Sequence, residues 1–167
     1  MNRRQVLKAG ATAAAVSSIA LPQQQAWKPA LLSAGQNQTI IALTNLIIPA
    51  TDTPGAKAAN VNRYIDLFLS ETPAAERDRF FSGLKWLDDY ATKESGSLFA
   101  KLEPVKQIAI LEKLDAGMDS LPEGNQFFRM AKSMTVRFYY QTEIGFKELN
   151  KRGVPGGFGC KHDEHKQ

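Results

Sequence analysis

The sequence predicts an all-α protein, a single compact domain of about five helices with an extended N-terminal arm and a Gly-rich C-terminal tail. Three observations carry that prediction. Apolar residues recur at intervals of three and four along most of the chain. Proline, glycine, serine and threonine punctuate the ends of those runs. No segment shows the strict alternation of a strand hairpin. The 167 residues suffice for one domain with a real core and are too few for two. Apolar residues at 43% and charged residues at 23% are globular rather than disordered or fibrous values.

The first twenty residues read as an address. Arg3, Arg4 and Lys8 precede a mildly apolar, Ala-rich run from 9 to 20, and Ser18-Ile19-Ala20 has small residues where a signal peptidase cuts. The arginine pair in Asn2-Arg3-Arg4-Gln5-Val6-Leu7-Lys8 gives this segment the layout of a twin-arginine export signal. Residues 21–32 read as a linker or arm, in which Trp27 packs on its own domain or on a partner. The helical domain is expected over 33–152. Ser33 with Gln36 forms a capping box for a first helix running to about Ile48. Ile40, Ile41, Thr44, Ile47 and Ile48 share its inner face, and Pro49 ends it. A loop follows at 49–56, rich in Pro, Gly, Asp and Thr. Val61, Tyr64, Ile65, Phe68 and Leu69 mark the inner face of a second helix.

Thr72-Pro73 reads as an N-cap and first position of a third helix, with Phe80, Phe81, Leu84, Leu87 and Tyr90 inward. A polar connection is expected at 92–98. Pro104 opens a fourth helix with Val105, Ile108, Leu111 and Leu114 inward, stopped by Gly117. A fifth holds Phe127, Phe128, Ala131, Met134 and Phe138 and continues or kinks through Tyr139-Tyr140 toward Gly145. A short helical piece is expected from Phe146 to Lys151. Four glycines and a proline between Gly153 and Cys160 exclude a helix there, so 153–167 is a tail.

Charge points the same way as the address. The formal balance is +4, with 21 basic and 17 acidic residues. Residues 1–20 hold three bases and no acid, so the remainder is 18 − 17 = +1. The basic excess that would suggest nucleic acid therefore belongs to the signal, and no nucleic-acid partner is expected. No run is apolar for the roughly 20 residues a membrane-spanning helix needs. The single cysteine excludes an internal disulfide framework and an iron–sulfur cluster held by this chain alone.

Candidate chemistry is sparse. The sequence has no Gly-x-Gly-x-x-Gly, no Cys-x-x-Cys-His and no phosphate loop, so no cofactor is expected in this chain. Its two histidines, His162 and His165, lie in the tail with Cys160. Their spacing matches no closed metal site, and the stretch reads as a solvated charged terminus. Without a positioned histidine no acid–base pair suggests itself, and no catalytic residue is assigned. An unpaired cysteine in an exported chain points to an intermolecular disulfide, a reactive thiol, or an exposed residue of no consequence. Asp88 and Asp89 diverge on a helix and read as a solvated face. Tyr139, Tyr140 and Glu143 stand late in a helix, where tyrosines serve either interfaces or ordinary core packing. Six bases against two acids between Arg129 and Arg152 suggest a face toward an acidic partner or a solvated helix side. A folded-protein export signal on a chain without a cofactor motif means a fast folder or the escort of a cofactor-bearing partner.

Several of these segments in order resemble one family. They are the twin-arginine signal, the turn Ile-Ile-Pro-Ala-Thr-Asp-Thr-Pro-Gly-Ala-Lys-x-Ala at 47–59, the stretch Val61 to Asp66 just after it, the Tyr-Tyr-x-x-Glu-Ile-Gly element at 139–145, and the Gly-x-Pro-Gly tail ending at Cys160. Together they are similar to the gluconate 2-dehydrogenase subunit 3 family. The resemblance implies a non-catalytic small subunit in a periplasmic complex that oxidises a sugar, sugar acid or glycoside. It implies a FAD-carrying catalytic subunit of the glucose–methanol–choline type and, in many members, a cytochrome subunit with haem c. Membrane association would come only through that complex. It gives Arg3 and Arg4 the role of exporting the complex and makes Cys160 a candidate for an intersubunit disulfide. Thr51, Asp52, Pro54, Gly55, Tyr139, Tyr140 and Glu143 become candidate partner-contacting or turn-defining residues. A free-standing periplasmic binding protein and a small metal-assisted enzyme are the alternatives.

Overall fold

The computed structural model describes residues 27–117 and 121–151. The expected signal with Arg3 and Arg4, the first part of the arm, and the tail with Cys160 lie outside the described residues. Six helices are present among the described residues and no strand is. They are α1 (Ala34–Ile47), α2 (Val61–Glu71), α3 (Ala74–Ser95), α4 (Pro104–Asp115), α5 (Pro122–Gln141) and α6 (Glu143–Lys151), with one 3₁₀ turn at Phe99–Lys101.

The arm from Trp27 to Ser33 is irregular rather than extended, bending at Ala30 and Leu31, and is tied to α2. Asp66, 2% exposed, accepts the backbone N–H groups of Ala30 at 2.6 Å, Leu31 at 3.1 Å and Leu32 at 2.9 Å. Three donors converging on one carboxylate are charge-assisted bonds, about twice as strong as neutral ones. The Arg63 guanidinium sits 5.2 Å from the Trp27 ring centre, so Trp27 packs on its own domain.

Helix α1 starts at the expected capping box. The Ser33 hydroxyl accepts the Gln36 N–H and the Gln36 side chain accepts the Ser33 N–H. It ends at Ile48, whose backbone is forced off helix by Pro49. Its buried residues are Thr39, Ile40, Leu43 and Thr44, a face turned slightly from the expected one, with Ile41 and Ile47 half-buried. Thr39 is buried because its hydroxyl donates to Asp88 on α3 at 3.2 Å. Asp88 also accepts the Phe99 N–H at 3.1 Å. That corrects the solvated reading of Asp88: it is half-buried and pins the 3₁₀ turn to α1 and α3, while Asp89 is exposed beside Lys85. Burial pushes the Asp88 carboxyl above the usual carboxylate range despite these bonds.

Two further boundaries and one helix face differ from expectation. Helix α3 runs through residues 92–95 and stops at Gly96, whose φ of +75° suits glycine. Thr72 does not cap α3; its hydroxyl turns back and donates to the Phe68 carbonyl, closing α2. On α4 the buried residues are Gln107, Ile110, Leu111 and Leu114, while Val105 is 78% and Ile108 44% exposed. Five apolar residues on that helix offer two possible faces. The face containing Gln107 wins because its amide donates to the Phe99 carbonyl at 2.8 Å, which removes the penalty for burying it.

Helix α5 is the hub, packing against α1, α2, α3, α4 and α6. Phe127, Phe128, Ala131, Met134 and Phe138 are all buried, as the spacing predicts. The three phenylalanines and Met134 each contribute about 1.5–3 kcal/mol when removed from water. Helices α3 and α5 meet closely: a Cβ on Gly83 would strike the Phe127 ring and one on Gly124 would strike Trp86.

Candidate functional site

The two segments singled out in the sequence, 47–59 and 139–145, meet in the fold. The loop between α1 and α2 folds back on itself. The Ile48 carbonyl accepts the Ala56 N–H at 2.9 Å, the Ala56 carbonyl accepts the Val61 N–H at 3.1 Å, and Ala56 is wholly buried. Gly55 is required at this crossing. A Cβ there would stand 2.5 Å from the Ile48 carbonyl oxygen and 2.5 Å from the Pro49 carbonyl carbon. Outside the crossing, the Thr51 N–H donates to the Thr53 carbonyl at 3.0 Å and the Thr51 hydroxyl to Asp52 at 2.9 Å.

Tyr139 locks this loop to the end of α5. Its ring is fully buried, and its hydroxyl oxygen lies 2.6 Å from the Pro54 carbonyl and 2.5 Å from a Glu148 carboxyl oxygen on α6. The single hydroxyl proton serves one of these acceptors at a time. Burial first, and then the Glu148 carboxyl, push the Tyr139 phenol up to about 12, so it is neutral at any ordinary pH.

The next turn is built to reverse the chain onto α6. Thr142 is extended, with ψ of 158°, and ends α5. Its hydroxyl donates to the Tyr139 carbonyl at 2.6 Å and accepts the Gly145 N–H at 3.1 Å. One threonine thus closes α5 and caps α6, which is why α6 begins at Glu143 rather than near Phe146. Gly145 is the second obligatory glycine, since a Cβ would lie 2.2 Å from the Tyr139 carbonyl oxygen. Tyr140 packs edge-on against Tyr139 with ring centres 5.2 Å apart and is 36% exposed. Glu143 is exposed in the first turn of α6 and paired with Lys147, which lowers its carboxyl.

The site residues therefore divide. Gly55 and Tyr139 face inward and hold the loop, α5 and α6 together. Thr51, Asp52, the Pro54 ring, Tyr140 and Glu143 face outward. Sequence reasoning missed Glu148, and it gave no role to Thr142 or Asp66 although both lie in segments that carry the resemblance. The signal for Asp66 was a carboxylate inside the apolar run Ile65-Asp66-Leu67-Phe68-Leu69. Among the described residues no group of three His, Cys, Asp or Glu side chains is placed to hold a metal ion, and no helix is long and apolar enough to cross a membrane.

Fold and site define a small helical-bundle protein whose most elaborate polar construction is a latch between a loop and the chain's last described helices. The family model described as gluconate 2-dehydrogenase subunit 3 matches residues 34–156, and the chain belongs to that family. The family's name is that of a subunit of a dehydrogenase complex. No curated protein and no solved structure matches the chain.

Proposed function

We propose that this chain is the non-catalytic small subunit that escorts and stabilises a FAD-dependent catalytic subunit of the glucose–methanol–choline type. The complex oxidises a sugar, sugar acid or glycoside in the periplasm. The observation that carries this reading is the family match across residues 34–156. The latch adds physical support, because it joins two of the segments that carry the resemblance, Pro54 in the loop and Tyr139 in the Tyr-Tyr element. In this reading Arg3 and Arg4 export the folded complex by the twin-arginine route, and Cys160 forms a disulfide with the catalytic subunit. FAD belongs to the partner, and a cytochrome subunit with haem c takes the electrons where one is present. The expected test result is loss of periplasmic dehydrogenase activity when Arg3 and Arg4 are both replaced by lysine, with the activity retained in the cytoplasm. Activity reaching the periplasm as before would overturn the escort role. On a non-reducing gel the two subunits should migrate together, and Cys160→Ser should separate them.

A further inference from the structure

We propose that the outward face of α5 is the surface on which an acidic face of the catalytic subunit docks; this rests on the small-subunit reading above. Arg129, Ser133, Val136, Arg137 and Tyr140 fall at helical spacings of three and four and form one exposed stripe. Val136 is 42% and Tyr140 36% exposed, so the stripe shows apolar surface to water between its cations. It contains no acidic residue. Lys132, on its edge, is neutralised by Asp115. Among the described residues neither Arg129 nor Arg137 forms an ion pair. Arg137 is already held in place, 5.6 Å from the ring centres of both Phe68 and Phe138. A guanidinium fixed over aromatic rings loses little freedom when a carboxylate arrives. Beside it on α2, Tyr64 stacks on Phe138 at 6.5 Å and is 40% exposed, and Leu67 is 56% exposed. Arginine and tyrosine with aliphatic neighbours, and no Lys or Glu in the middle, is the composition of an interface centre rather than of a solvated helix side. The charge complement of that centre is a pair of carboxylates on the partner.

The surface reaches past the turn that the sequence singled out. Gly55 and Tyr139 are inside the fold, whereas Tyr140 belongs to the stripe and links the latch to the docking face.

The test uses the full chain co-produced with its catalytic subunit, captured on the small subunit and read by the flavin of the captured partner. Arg129→Glu/Arg137→Glu should weaken the complex about thirtyfold or more. Its affinity should lose the salt dependence that the parent complex shows. Because Arg137 packs on two rings, Arg129→Glu/Ser133→Glu serves as a second variant with both changes fully on the surface. It should fold with unchanged helix content and still lose the partner. Equal capture by both folded variants overturns the docking face while leaving the subunit reading intact. A parent chain that captures no flavoprotein overturns both. If capture is unchanged but binding to vesicles containing phosphatidylglycerol is lost in the variants, the face belongs to a membrane surface, and the proposal also fails.

Discussion

Tyr139 does its work with one oxygen. Its ring fills the junction of the 48–60 loop, α5 and α6, and its hydroxyl is the polar bond across that junction. Tyr139→Phe keeps the ring but strands the Pro54 carbonyl, and should cost about 1–3 kcal/mol in urea unfolding. The pH dependence has a definite sign. The phenol is held at about 12 in the fold, above its ordinary value near 10, so the native state favours the neutral form. That contribution is complete below pH ~10 and is lost as pH rises through about 12. The parent protein should therefore lose stability over that alkaline window relative to Tyr139→Phe at the same pH values. Asp66 is the other residue with a large individual effect. Asp66→Ala leaves three backbone N–H groups without their acceptor and should destabilise by about 2–4 kcal/mol. The arm should detach with it, read as a change in Trp27 fluorescence.

At the level of elements, helices were legible wherever one face was strongly apolar, and α5 is the clearest case. The spacing of Phe127, Phe128, Ala131, Met134 and Phe138 left a single choice of inner face. On α4 two faces competed, and the decision rested on a hydrogen bond from Gln107 to a carbonyl of the 3₁₀ turn, which no periodicity reveals. Val105→Ser should accordingly change stability by less than about 0.5 kcal/mol, while Gln107→Ala should cost about 1–3 kcal/mol. The α5–α6 break was only half legible. The glycine at 145 announced a turn, but the two-way use of the Thr142 hydroxyl depends on where the chain doubles back. Pro, Gly, Asp and Thr content marks a loop at 49–56, yet its contact with Tyr139 joins residues 85 positions apart, beyond any local pattern. Both tight crossings are sensitive to one methyl group. Gly55→Ala and Gly145→Ala should each destabilise by about 1–3 kcal/mol, because the nearest atoms are backbone and cannot move aside. Thermal unfolding of the two variants checks this.

For the whole molecule, the order in which its parts become available matters as much as their final packing. Helix α5 covers α1, α2, α3 and α4, yet it is the fifth of six helices along the chain. The partners of the latch are made at well separated times. At ribosomal speeds of about 5–20 residues per second, Tyr139 follows Pro54 by roughly 4–17 s. An isolated helix forms in about a microsecond. The segments of α1, α2 and α3 thus sample helix millions of times faster than the element that shields them is made. During those seconds the apolar residues that α5 later buries stay open to water, and the nascent chain presents them to whatever binds greasy surface.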